Sequence, residues 1–138
     1  MPHFSVVIPT FNRAHLLPMA IESVLQQTCE DFEIVVSNGG STDETAKIIR
    51  RFSDPRIKYI EAPARLTVGE NYQQGLDHAT GEYITFLSDD DAYTPDLLAR
   101  VKSVIEETGC EIVGYQFCRY YHDDIYDFEP THTPDNPR

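Results

Sequence analysis

"EYITFLSDDDAYTPDLLARV", residues 82–101, joins a strand signal, an acidic cluster and a helix start in one short run. Residues 83–87 are apolar and aromatic, as a buried strand requires. Asp89, Asp90 and Asp91 follow directly. Thr94 and Pro95 then predict a helix start, Pro being tolerated at the first helical position, with Leu97, Leu98, Val101, Val104 and Ile105 at helical spacing and Gly109 as the stop. Neighbouring carboxylates about 6 Å apart repel by about 2–3 kcal/mol at an effective dielectric of about 20. A divalent cation would offset that repulsion, and a strand that delivers acids to its carboxyl end is a good place to hold one.

The same alternation extends towards both ends of the chain. Residues 5–9 predict a strand closed by Pro9, and Leu16, Leu17, Ala20, Ile21, Val24 and Leu25 form an apolar stripe across a helix over residues 14–27. Residues 32–37 predict a second strand, stopped by Asn38-Gly39-Gly40. Ser41 with Glu44 predicts a capping box, and Ala46, Ile48, Ile49 and Phe52 supply the next core stripe. Residues 57–60 predict a third strand; Thr67 with Glu70 predicts another capping box, before a helix that would bury Tyr72, Leu76 and Ala79 and stop at Gly81. A fifth strand is expected over residues 112–120, ahead of an acidic, Pro-containing stretch without periodicity.

Strands and helices in this order imply right-handed crossovers: a three-layer α/β/α architecture around a mostly parallel sheet. Ligands in such sheets lie outside the carboxyl ends of the strands. The polar loops at residues 9–13, 38–42 and 88–93 should therefore converge on one crevice.

The composition excludes several classes. The chain has 138 residues, 41% of them hydrophobic, which suits one globular domain over residues 1–120 followed by the tail at 121–138. A net charge of -12 repels nucleic acid and anionic lipid. No apolar run reaches the roughly 18 residues a spanning helix needs, and residues 1–5 lack the pattern of a signal peptide. A cytoplasmic location is expected. Cys29, Cys110 and Cys118 show no metal or redox spacing and are expected to be small buried thiols.

Each loop has a chemical role and a plain one. Phe11 could stack on a planar base, with Thr10, Asn12 and Arg13 as donors, or could simply staple the following helix. Asn38 could exchange paired hydrogen bonds with a base edge while two glycines let the backbone approach, although a tight turn before a capped helix explains the glycines equally well. The aspartates do not fit an EF-hand loop. They suit magnesium or manganese held by one or two carboxylates, with phosphate oxygens and waters completing the shell. A diphosphate beside three acids also needs a metal between them.

Four segments carry a resemblance: "FSVVIPTFNRAHLLPMAIESVLQQT" (residues 4–28), "DFEIVVSNGGSTDET" (31–45), "NYQQGLDHATGEYITFLSDDD" (71–91) and "YTPDLL" (93–98). In this order they resemble the nucleotide-binding half of family 2 glycosyltransferases of GT-A fold, over about residues 2–112. The resemblance implies a Rossmann-like nucleotide-diphospho-sugar transferase fold and a role in polysaccharide biosynthesis. The implied reaction transfers a hexosyl group from a nucleoside-diphosphate sugar, a UDP-sugar foremost, to a hydroxyl of a glycan or lipid-linked glycan, with inversion by a single displacement. It assigns Pro9, Thr10 and Phe11 to the nucleobase, Asp89 to the ribose or the metal, and Asp90 to Mn2+ or Mg2+. Asp91 is a second metal candidate, and Arg13 and Asn38 complete the nucleotide set.

This chain departs from the pattern at several points. Asn38-Gly39 stands where many relatives carry two aspartates, Ser88 replaces the first acid of the D-x-D form, and Glu70-Asn71-Tyr72 falls where many carry an Arg. Relatives continue into an acceptor-binding half that supplies the general base, which is expected beyond Arg138; His122, Asp123, Asp124 and Asp127 match nothing in its spacing. The alternative expectation is a truncated or degenerate module that binds a nucleotide sugar without turnover. A receiver domain is excluded because strand three ends in Ile60-Glu61 and no Lys follows residue 102. A dinucleotide-binding domain lacks its G-x-G-x-x-G, and a P-loop lacks G-x-x-x-x-G-K. A sugar nucleotidyltransferase would need a Gly-rich basic loop after strand one, where this chain has P-T-F-N-R.

Overall fold

In the computed structural model, which describes residues 2–115, strands and helices alternate as β1 (Phe4–Thr10), α1 (Leu17–Leu25), β2 (Phe32–Asn38), α2 (Thr45–Ile49), β3 (Ile57–Glu61), α3 (Val68–His78), β4 (Tyr83–Phe86) and α4 (Leu97–Thr108). The four strands form one parallel sheet in the order β3-β2-β1-β4. Val7 pairs with Val35 on one side and Phe86 on the other, so β1 is the sheet's central axis. Because β1 and β2 are interior strands, every residue of both is buried, which explains their unbroken apolar runs.

The alternation of side chains divides those runs between two faces. Phe4, Val6 and Ile8 with Phe32, Ile34 and Val36 pack into one core with Leu17, Ala20, Ile21 and Val24 of α1, Ile49 of α2, and Leu98 and Ile105 of α4. Fully burying each such side chain contributes about 1.5–3 kcal/mol. The opposite face is lined by Val7, Ser37 and the polar pair Ser5 and Glu33, and α3 lies directly on it. A Cβ at Gly75 would stand 2.4 Å from Val7 Cγ1 and 3.3 Å from the Ser37 Cβ, so the helix approaches this closely only because residue 75 has no side chain.

Some local expectations are revised. The first helix starts at Leu17, not near residue 14, because residues 13–16 form a turn, with Leu16 N–H donating to Arg13 O at 3.0 Å, and Pro18 suits only a helix's first turn. The Ser41–Glu44 capping box does not form: Asp43 Oδ1 accepts from Thr45 N–H at 3.0 Å, Ser41 Oγ accepts from Asn12 N–H at 2.9 Å, and Glu44 pairs with Lys47 at 2.6 Å. The Thr67–Glu70 capping box does form, with Glu70 N–H donating to Thr67 Oγ1 at 3.3 Å and Thr67 N–H to Glu70 Oε2 at 2.8 Å.

Helix α3 turns Asn71 and Gly75 inward and leaves Leu76 37% exposed, so its buried face is polar and small, where the sequence suggested Tyr72 and Leu76. The last helix begins at Leu97, after a turn in which Leu97 N–H donates to Thr94 O at 3.1 Å, and ends at Gly109, whose φ of 64° is left-handed. Cys29 and Cys110 are free and half-buried. Residues 112–115 are not in strand conformation; the rest of the expected fifth strand, Cys118 and the tail at 121–138 lie outside the described residues. Among the described residues no helix is long and apolar enough to cross a membrane.

Candidate nucleotide-sugar site

Parallel pairing places the carboxyl ends of β1, β2 and β4 along one edge, and side chains then tie their loops together. Asn12, left-handed at φ 54°, links the first two: its N–H donates to Ser41 Oγ at 2.9 Å and its Oδ1 accepts from Thr42 N–H at 2.7 Å. Arg13 links the first to the loop after β4, its Nη1 lying 3.1 Å from Asp89 Oδ1 and 2.6 Å from Asp90 Oδ2. A crevice of about 680 Å³ opens between them, with Pro9, Thr10, Phe11 and Arg13 on one side and Asp89 and Asp90 on the other. A neighbouring hollow of about 840 Å³ is reached past Phe11 and includes Asn12, Ser41 and Glu61.

The acids differ in environment. Asp89 is buried, with its side chain 7% exposed, whereas that of Asp90 is 46% exposed. Burial pushes the Asp89 carboxyl above the usual carboxylate range, and the neighbouring Asp90 charge adds to this; the Thr10 hydroxyl and Arg13 act against it. Thr10 Oγ1 lies beside that carboxyl but is buried without a well-formed hydrogen bond, so a polar atom on the crevice wall has unused capacity.

This geometry suits a hard cation. Oxygens from two adjacent carboxylates converge on one positively charged nitrogen, and Mg2+ or Mn2+ takes one or two carboxylates with the remaining positions left to phosphate and water. Asp91 does not join them: it is exposed and stands outside the crevice wall, its N–H closing a turn onto Ser88 O at 3.1 Å. Among the described residues no cluster of three or more His, Cys, Asp or Glu forms. The turn separates Asp91 from its neighbours, so the expected acidic triplet is a pair in space.

Asn38 is also placed elsewhere than expected. It is fully buried, donates from Nδ2 to Tyr59 Oη at 2.7 Å, and accepts at Oδ1 from Ser41 N–H at 2.9 Å. Its amide builds the loop and lines neither hollow. Gly40, at φ 81°, lets that loop pack against Ala64, where an added Cβ would lie 2.5 Å from the carbonyl oxygen. The close approach at this glycine is thus between two loops of the chain.

Two residues at the crevice were not among the site residues expected from the sequence. Asn71 donates from Nδ2 to Thr10 O at 3.0 Å and accepts at Oδ1 from Ser37 Oγ at 2.8 Å, so α3 holds the first loop in place. Its signal was present, since Asn71 and Gly75 are four residues apart on one helical face. Arg65 lies over Phe11, its guanidinium carbon 4.8 Å from the ring centroid, and borders both hollows; no motif marked it.

Comparisons with known proteins identify the family and the fold. The sequence model of Glycosyl transferase family 2 matches residues 5–136. The chain is 37% identical over 124 residues to the GalNAc(5)-diNAcBac-PP-undecaprenol beta-1,3-glucosyltransferase of Campylobacter jejuni, covering 83% of this chain and 38% of that protein. It is 43% identical over 110 residues to a PGL/p-HBAD biosynthesis glycosyltransferase of Mycobacterium bovis, covering 77% of this chain and 43% of the relative. Among solved structures, S. aureus TarS 1-349 in complex with UDP-GlcNAc superposes with a TM-score of 0.74 at 26% identity, covering 77% of this chain and 32% of that one. The mannosyltransferase PcManGT from Pyrobaculum calidifontis, in complex with GDP-Man and Mn2+, superposes with a TM-score of 0.69 at 27% identity, covering 75% and 32%. The chain therefore spans less than half the length of these relatives, and the part it shares is a GT-A fold.

Proposed function

The chain belongs to Glycosyl transferase family 2, and on that premise we propose that its crevice binds the nucleoside diphosphate of a sugar donor together with a divalent metal. One observation carries the reading: Thr10 and Phe11 from the loop after β1 face Asp89 and Asp90 from the loop after β4 across one crevice at the carboxyl edge of a parallel sheet. The nucleotide complexes of TarS with UDP-GlcNAc and of PcManGT with GDP-Man and Mn2+ support it by similarity of fold.

Phe11 supplies the stacking surface for the base, and Pro9 and Thr10 supply the adjoining wall. Asp89, the buried acid, takes the inner position beside the ribose, and Asp90, the exposed one, takes the metal. Mn2+ or Mg2+ bound there would neutralise the charge that develops on the departing nucleoside diphosphate. Arg13 holds both carboxylates aimed at one point until a metal displaces it. Transfer with inversion goes to an acceptor hydroxyl of a glycan or lipid-linked glycan. A UDP-sugar is the favoured donor, by similarity to TarS in its complexes with UDP and UDP-GlcNAc.

A second reading, donor binding without turnover, is favoured by the acids themselves. Among the described residues the Asp side chains on the crevice wall are Asp89 and Asp90, both paired with Arg13, which leaves neither placed as a base for an acceptor hydroxyl. Thermal melting with UDP, GDP and thymidine diphosphate, with and without Mn2+, tests the first reading, and release of UDP from a UDP-sugar separates it from the second. A metal-dependent rise in Tm with one nucleotide is expected. The absence of any rise at millimolar nucleotide would overturn the assignment of the crevice.

A further inference from the structure

Arg65 is a positive charge at the edge of an acidic site. Among the described residues it takes part in no ion pair, whereas Arg13, the other arginine at the crevice, is held by Asp89 and Asp90. It does not wave freely in solvent. Its guanidinium carbon sits 4.8 Å over the Phe11 ring, a cation–π stack that fixes the group where the two hollows meet. At that separation no base fits between them, so Arg65 takes one face of the Phe11 ring and a stacking base is left the other.

The nearby start of α3 offers an anion less than a helix N-terminus ordinarily does. The Glu70 carboxylate already stands there, accepting from Thr67 N–H and from Thr67 Oγ1, each at 2.8 Å. With Asp89 and Asp90 on the crevice wall and Glu70 capping the helix whose first residues line it, a diphosphate entering it needs an uncommitted cation of the protein's own. A guanidinium presents several N–H donors in a fork that matches phosphate oxygens, and among the described residues no acceptor takes those of Arg65 while it lies over Phe11.

From these observations we propose that Arg65 binds the diphosphate of the donor, with Phe11 as the support that pre-orients it. The assignment rests on the donor-site reading above and adds a residue to it. It also makes Phe11 serve two groups, the base by stacking and the diphosphate through Arg65.

Calorimetric titration with UDP and with uridine, in the presence of Mn2+, tests this on the unaltered chain and on Arg65→Ala and Arg65→Lys. Arg65 is exposed, and retention of the unaltered Tm by both variants checks their folding. Loss of charge-assisted hydrogen bonds predicts that Arg65→Ala weakens UDP by roughly ten- to a hundredfold and uridine by no more than about threefold, with Arg65→Lys between. Equal weakening of uridine and UDP would make Arg65 a base-stacking residue and overturn the assignment. Unchanged UDP binding in Arg65→Ala would overturn it too, while leaving the donor site standing. If the unaltered chain binds no UDP, the donor-site reading falls and this one falls with it.

Discussion

Arg13 Nη1 lies 2.6 Å from Asp90 Oδ2, so the loop after the first strand and the loop after the fourth are joined by an ion pair across the mouth of the crevice. The same nitrogen reaches Asp89 Oδ1 at 3.1 Å. A guanidinium thus stands at the point where two carboxylates converge, and any metal bound by both acids must displace it. An ion pair this exposed contributes at most about 1 kcal/mol. Arg13→Ala should therefore strengthen binding of Mn2+ alone by about fivefold, since the competing cation is gone. Titration of Mn2+ without nucleotide measures this, and weaker metal binding in the variant would show that Arg13 organises the acids more than it competes for them.

Glu33 should make the fold sensitive to acid. Burial alone would push its carboxyl up, but Lys58 Nζ at 2.6 Å, Ser5 Oγ at 2.6 Å, and the Thr80 N–H and hydroxyl outweigh burial and hold its pKa at about 2. A depressed pKa contributes stability that is fully present above the ordinary glutamate value of 4.5 and is lost as pH falls through about 2. The loss amounts to up to about 3 kcal/mol. Urea unfolding at a series of pH values should show this fall in the unaltered chain and a flatter profile in Glu33→Gln, which keeps the shape without the titration. Parallel profiles would contradict the linkage.

Gly75→Ala tests the packing of α3 on the sheet. The new methyl would meet Val7 Cγ1 at 2.4 Å, so the helix must lift or Val7 must turn, at a cost of about 1–3 kcal/mol. A lower Tm with weakened UDP binding is expected, because α3 also carries Asn71 and its bond to Thr10 O. An unchanged Tm would mean that the helix sits less tightly than its geometry indicates.

Asn71→Leu should act on the site through the same helix. It removes the Oδ1 partner of Ser37 Oγ and the Nδ2 donor to Thr10 O; Ser37 Oγ still reaches Asn71 O at 2.8 Å and Thr10 O still accepts from Gly39 N–H at 3.0 Å, so the cost is about 0.5–1.5 kcal/mol for each bond lost. Nucleotide affinity should fall together with stability, since the Thr10 loop loses its anchor. Retained affinity in a destabilised variant would separate the anchor from the site.

The strands were legible in the sequence because β1 and β2 are buried on both faces, and an apolar run between turn residues reflects that burial directly. The meeting of Thr10, Phe11, Asp89 and Asp90 followed from the same order, since parallel strands bring their carboxyl ends to one edge. What was not legible depended on contacts between distant residues. Ser41 matched a capping pattern with Glu44, yet Asn12, 29 residues away, took its hydroxyl. Asn38 had the chemistry of a base-reading amide, yet Tyr59 and Ser41 occupy it. Asp91 looked equivalent to its neighbours until a turn onto Ser88 O put it on the outside. Arg65 lay in a stretch without periodicity, and only the fold brings it over Phe11.

The central claim is that Asp90 and a nucleoside diphosphate share one divalent cation in the crevice beside Phe11. The most direct measurement is calorimetric titration of UDP into the unaltered chain and into Asp90→Ala, each with and without Mn2+. Mn2+ should tighten UDP binding by at least about tenfold in the unaltered chain, the worth of one charge-assisted contact, and should change nothing in Asp90→Ala. The same metal dependence in both proteins, or none in either, would contradict the account.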